Sequence, residues 1–399
     1  MKNIERTLAL TLTVGLAAMG CREDAESPTA PESAPALSTA AAAPLSFLQV
    51  SAGTAYTCGL STAGLAYCWP ASGVARPTAV PGGRHFVQIS TGGGHACAVT
   101  SDDKAYCWGG NDWGQLGNGT NVSSDTPVRV MGQHFRQIRA GYLHTCGVTP
   151  TDVAFCWGNN DEGQLGTGGS QTMTPVRVAR GLLWRQVIAG ASHSCGVTTD
   201  NKGYCWGANF FGELGDGTKT NRNKPALVAG GHSFRQVVPG GGWFPDDVEP
   251  FVDDGHTCGL TTDGKAWCWG LNQSGELGTG MTGNSVVPAA VAGGRSYRFL
   301  NTGQSHTCAV TLSNVAFCWG DNGGGQLGVG SGTSGSLSPV RVAGGLEFDA
   351  VTVGTLGFHS CAWTTVDHKG YCWGRNSNGQ LGDGTTTTRF TPRAVLGPM

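Results

Sequence analysis

The 399 residues include 66 glycines, 15 cysteines and 12 tryptophans, and only 13% are charged. Glycine at more than twice its usual share of about 7%, with no strict triplet, excludes collagen, and the tryptophans argue against a disordered chain. Twenty-five basic residues against 27 acidic ones give a formal charge of −2, so there is no global excess for binding nucleic acid or an anionic membrane, and no nucleic-acid partner is expected.

Residues 1–20 read as an export signal. Lys2 and Arg6 precede an apolar run, Thr7 to Gly20, that is too short to span a bilayer, and Cys21 follows. The stretch resembles a bacterial lipoprotein signal, with Gly20 before the cysteine and Ala18 where leucine is usual. That resemblance implies an exported lipoprotein of the bacterial envelope, facing the periplasm or the cell surface. Its lipid anchor would be Cys21, the only contact with the membrane. Residues 21–45, rich in Ala, Pro and Ser, read as a disordered tether spanning about 27 Å as a coil. No later stretch is apolar enough for a transmembrane helix.

From residue 46 to 399 the chain repeats itself. The remaining cysteines form seven pairs: Cys58 with Cys68, Cys97 with Cys107, Cys146 with Cys156, Cys195 with Cys205, Cys258 with Cys268, Cys308 with Cys318, and Cys361 with Cys372. Seven units over this length give about 50 residues each, a size that suits a four-stranded propeller blade. If Cys258 faces Cys268 across a hairpin, the loop is Thr262-Asp263-Gly264, and a three-residue loop ends in a left-handed residue. In the six regular units that position holds Gly64, Asp103, Asp152, Asn201, Gly264 and Asn314, all residue types that tolerate it. The register therefore sets each cysteine pair face to face, close enough for one disulfide per hairpin. The seventh turn, Val366 to Lys369, is one residue longer. Each unit also holds a strand of the type Phe135-Arg-Gln-Ile138 and one of the type Thr126-Pro-Val-Arg-Val130. The last of these, Thr391 to Val395, is expected to complete the first blade and so close the ring.

Six units continue past the second cysteine with a motif such as Trp157-Gly-Asn-Asn-Asp-Glu-Gly-Gln-Leu-Gly166. With Gly-x-x-His-Thr and the hairpin turn, this pattern resembles the regulator of chromosome condensation repeat family. The resemblance implies an all-β, seven-bladed β-propeller over residues 46–399. The first unit departs from it, because Trp69-Pro-Ala-Ser-Gly lacks the Asn and Gly-Gln-Leu-Gly elements. The family includes exchange factors for small nuclear GTPases and a secreted bacterial inhibitor of β-lactamases, so binding to proteins is the expected activity. The cysteine pairs in every unit agree with an exported chain in an oxidising compartment.

Six histidines, His95, His144, His193, His256, His306 and His359, stand two residues before a cysteine. Zinc is the sharp reading of that spacing and a packed histidine beside a disulfide the bland one; the bland one is preferred because the set recurs in nearly every unit, and no metal or cofactor is expected. Aromatic pairs such as Phe155 and Trp157 are read as packing between blades rather than as a sugar platform. No catalytic constellation stands out, so no enzyme is expected. One segment breaks the repeat: residues 239–255 gather Trp243, Phe244 and Phe251 with Asp246, Asp247, Glu249, Asp253 and Asp254. Long loops on rigid scaffolds carry function, and aromatics rimmed by acids suit a protein contact. The expected function is a monomeric protein-interaction scaffold at the cell envelope, with an unidentified protein partner. The alternatives are a sugar-binding or hydrolytic propeller using the face of the ring, or a secreted binder resembling an enzyme inhibitor.

Overall fold

The computed structural model describes residues 45–70, 75–243 and 253–398, and every regular element among them is a strand. The signal, Cys21 and the tether lie outside the described residues. Seven four-stranded antiparallel sheets form, one per repeat, and in each the strand order follows the chain. Blade one runs Phe47–Ala52, Thr57–Ser61, Ala66–Trp69 and Thr78–Ala79; blade seven runs Phe348–Val353, His359–Thr364, Gly370–Gly374 and Arg389–Ala394.

The hairpin register is the one the turn chemistry requires. In the first three blades Cys58 faces and bonds Cys68, Cys97 bonds Cys107, and Cys146 bonds Cys156. In the next three Cys195 bonds Cys205, Cys258 bonds Cys268, and Cys308 bonds Cys318. In the last blade Cys361 bonds Cys372 despite the extra turn residue, and all seven pairs hold their Cα atoms 4.0–4.1 Å apart. The six regular turn residues all adopt positive φ, from 59° at Asp103 to 83° at Gly264. In the longer seventh turn His368 takes that role, at φ 53°.

The C-terminal strand sits at the seam of the ring, but as the outer strand of blade seven, paired with Gly370–Gly374, and not as a member of blade one. The reason is the order within a unit: inner strand, hairpin, then proline strand. Blade one has its own proline strand, in Arg76-Pro-Thr-Ala-Val80, where Thr78–Ala79 pairs with Ala66–Trp69. The ring closes through blade-to-blade contacts instead. Phe47 N donates to His368 O at 2.7 Å, Gly384 N donates to Ala75 O at 2.9 Å, and Val395 packs in one buried cluster with Phe47 and Trp69.

The hydrophobic core is divided into clusters that straddle neighbouring blades. One joins Cys146, Val148, Leu165 and Val178 of blade three to Trp184, Val187 and Trp206 of blade four. The glycine that ends each Gly-Gln/Glu-Leu-Gly motif makes this approach close. Gly166, at φ 67°, lies against the Trp206 indole, where a Cβ would stand 2.6 Å from Nε1. Sequence thus dictates local conformation, and local conformation sets how near one blade comes to the next.

Candidate interaction face and central channel

Each histidine of the repeat reaches across to the next blade. His144 Nε2 lies 2.7 Å from Ser194 Oγ, and the Ser194 hydroxyl donates to the Gln164 carbonyl at 2.8 Å. Trp206 Nε1 donates to that same carbonyl at 2.9 Å. Because the single hydroxyl proton is committed to the carbonyl, the imidazole must be the donor, which places its proton on Nε2. The arrangement recurs from blade two around to blade one: His95 with Thr145, His193 with Thr257, His256 with Thr307, His306 with Ser360 and His359 with Thr57. All six residues are buried, and in all but His193 the Nδ1 atom is buried with no hydrogen-bond partner among the described residues. Burial therefore holds them neutral, at a pKa of about 3 for five of them and about 4 for His359. The cysteine two residues on is in a disulfide each time, so no thiolate is left beside these imidazoles for a metal.

The seam between blades one and two lacks the pair and replaces both halves of it. Tyr56 stands where the histidine would be, Ala96 stands where the hydroxyl would be, and Tyr56 Oη donates instead to the His95 carbonyl. Blade one also lacks the motif loop whose carbonyl the hydroxyl would need. The aromatic pairs are core elements: Trp157 is fully buried, packs 5.5 Å from Phe135 of its own blade, and shares a buried cluster with Cys97, Val99 and Leu116 of blade two.

The insertion leaves the inner strand of blade five, Phe234–Pro239, at the mouth of the central channel. Gly240 N donates to His256 O and Gly241 N to Gly303 O, and Gly242–Trp243 then pairs with Asp253–Asp254 as a short antiparallel ladder. Trp243, Asp253 and Asp254 are thereby placed at the base of the insertion by their backbone. Phe244, Asp246, Asp247, Glu249 and Phe251 lie outside the described residues.

The channel itself, a cavity of about 290 Å³, is lined by the seven inner strands. Glutamines stitch these strands together. Gln49 donates to Ile89 O at 2.8 Å and accepts from Ile89 N at 3.0 Å, and Gln88 and Ile138 repeat the device. Blades six and seven carry Phe299 and Ala350 at that position, and both pack with Trp363. Two residues on, opposite the first cysteine of each hairpin, stand Ser51, Ser90, Arg139, Ile188, Val238, Asn301 and Thr352. The hydroxyls among them accept from the neighbouring blade, Ser90 Oγ from Ala140 N at 3.1 Å and Thr352 Oγ1 from Ala52 N at 3.3 Å. Among the described residues no carboxylate lines the cavity, and Arg139 is its one cation. Arg139 and Tyr56 carry no motif of their own. Both stand out only where the seven units are aligned, as the positions that depart from the rest.

The profile for the regulator of chromosome condensation (RCC1) repeat matches residues 102–148, 152–197 and 367–399, and a second profile for the same repeat matches 86–115, 135–164, 184–213 and 254–276. These stretches are regulator of chromosome condensation repeats. The human E3 ubiquitin-protein ligase HERC2 is 31% identical over 174 residues, which is 43% of this chain and 3% of that much longer protein. Among solved structures, Prp20p of Saccharomyces cerevisiae superposes with a TM-score of 0.72 at 20% identity, covering 84% of this chain and 87% of Prp20p. Human WBSCR16 gives 0.70 at 21% identity, covering 80% and 84%. At these identities the structural likeness speaks to the fold alone.

Proposed function

We propose that this propeller is an exported, lipid-anchored protein-interaction scaffold of the bacterial envelope, and that the insertion at residues 239–255 makes the contact. The observation that carries the reading is where the repeat breaks. A ring stapled once per blade and stitched blade to blade holds the two ends of the insertion firmly, Gly240 and Gly241 bonding to blades five and six and Gly242–Trp243 pairing with Asp253–Asp254, which supports a contact made from there. A rigid frame lowers the entropic cost of offering such a loop to a partner. Seven disulfides suit an oxidising compartment, in agreement with the export signal and with Cys21 as the anchor. A role in binding proteins also suits the family, since the yeast relative is described as binding Gsp1p and histones.

Two measurements test the proposal. Mass spectrometry of the membrane fraction should find a lipid-modified Cys21 as the first residue, and Cys21→Ser should release the chain from that fraction; an unmodified, soluble wild-type chain refutes the anchor. Capture from envelope extracts with residues 46–399 should recover a protein that is lost when residues 240–253 are deleted. An unchanged set of captured proteins refutes the role of the insertion.

A further inference from the structure

The level of the channel occupied by Arg139 is filled in the other blades by neutral side chains, and the serines and threonine there bond to the next blade. Arginine has donors and no acceptor, so it cannot take the hydroxyls' place on the Ala189 amide. Its Nε is buried with no hydrogen-bond partner, and it forms no ion pair among the described residues. A second donor on the same cavity wall, Trp363 Nε1, is also buried and unpartnered among them. A partly desolvated guanidinium, half-buried with its Nε sealed off and no counter-charge among the described residues, is costly to hold, and the cost is offset when an anion accepts its hydrogen bonds.

We propose that the central channel is a binding site for a small organic carboxylate, with Arg139 receiving its charge. Arg139 presents a planar fork matched to two carboxylate oxygens. The rest of the wall selects the body of the ligand. Leu48, Val87, Ile188 and Phe299 give it apolar cover, and Asn301 and Thr355 supply scattered polar contacts. At about 290 Å³ the cavity lies at the lower end of the roughly 300–1,000 Å³ found for ligand pockets, so the ligand is small. Burial holds the guanidinium down to about 10, which still leaves it fully charged at neutral pH.

The test compares ligands on the intact wild-type propeller by calorimetric titration and thermal melting, with benzoate, hexanoate, benzamide, sulfate and chloride as probes at matched ionic strength. Saturable binding of benzoate or hexanoate at millimolar concentration or tighter is expected, with benzamide, the neutral isostere, showing none. Arg139→Met should weaken carboxylate binding by about 10- to 100-fold, the range for losing charge-assisted hydrogen bonds. Trp363→Phe should weaken it several-fold. Four results overturn the proposal: no saturable binding of either carboxylate, equal binding of benzamide, sulfate or chloride binding as tightly as the carboxylates, or an Arg139→Met protein that keeps its affinity. Should Arg139→Met fail to fold, the acid–amide comparison on the wild-type chain decides the matter by itself.

Discussion

Mild acid should weaken this propeller far more than its few buried carboxylates would suggest, because six neutral histidines sit in its seams. Each has a folded pKa of about 3 or 4 against 6.5 when exposed, so protons bind preferentially to the unfolded chain. A depressed folded pKa means stability that is fully present above pH 6.5 and is lost as pH falls from there toward 3. At pH 5 each histidine has cost about 2 kcal/mol, or about 12 kcal/mol for six. Glu276 works in the opposite direction. Burial raises it to about 7, so its protonated form is favoured in the fold and returns about 2–3 kcal/mol at pH 5. The net loss of about 10 kcal/mol is comparable to the whole stability of an ordinary domain. Urea midpoints followed by tryptophan fluorescence, disulfides intact, should fall steeply from pH 7 to 5. His144→Gln, whose amide can still donate to Ser194 but cannot titrate, should remove about one proton from the uptake on unfolding. A stability flat to within about 2 kcal/mol across that range would mean that the imidazoles already accept protons in the fold, and the reasoning would fail.

The staples and the seams can be probed one at a time. Replacing Cys195 and Cys205 together by serine should cost about 3 kcal/mol by the loop-closure relation for so short a loop, read as a lower urea midpoint. Gly166→Ala should cost at least about 2 kcal/mol, since it forces a Cβ onto the Trp206 indole at positive φ, whereas Gly82→Ala, with open space around its Cβ, should cost less. Tyr56→Phe should lose about 1 kcal/mol with the hydrogen bond to the His95 carbonyl, measured by thermal melting.

Much of the fold was legible in the sequence because its units constrain one another. The position that must turn left-handed falls on Gly, Asn or Asp six times, and that recurrence fixes the hairpin register and with it the disulfides. The order of strands was less legible. The weak proline strand around Thr78 pairs over only two residues and follows a unit without the motif loop, so the C-terminal strand looked like the missing piece of blade one. The site was legible only in part. The insertion announces itself by length, but the belt of histidines depends on pairing across blades 50 or more residues apart, and nothing local reveals that His193 will meet Thr257. Arg139 was hidden for the same reason: a charge in a strand reads as an exposed one until the ring turns that strand inward.

The exceptions to the repeat fall into two kinds, and the difference bears on what each is for. At the seam of blades one and two, the histidine and its hydroxyl partner change together, to Tyr56 and Ala96, and the seam is still bridged by a hydrogen bond. That is a structural substitution, with loss and compensation in the same place. Position 139 has no such answer. Blade four presents Ile188 and Ala189 beside it, no carboxylate among the described residues reaches the cavity, and the buried Nε finds no partner there. In a ring where every seam is bridged by a glutamine rung, a histidine bond or both, a charge left uncompensated among the described residues and facing the central cavity is better explained by something the channel receives than by anything the fold requires.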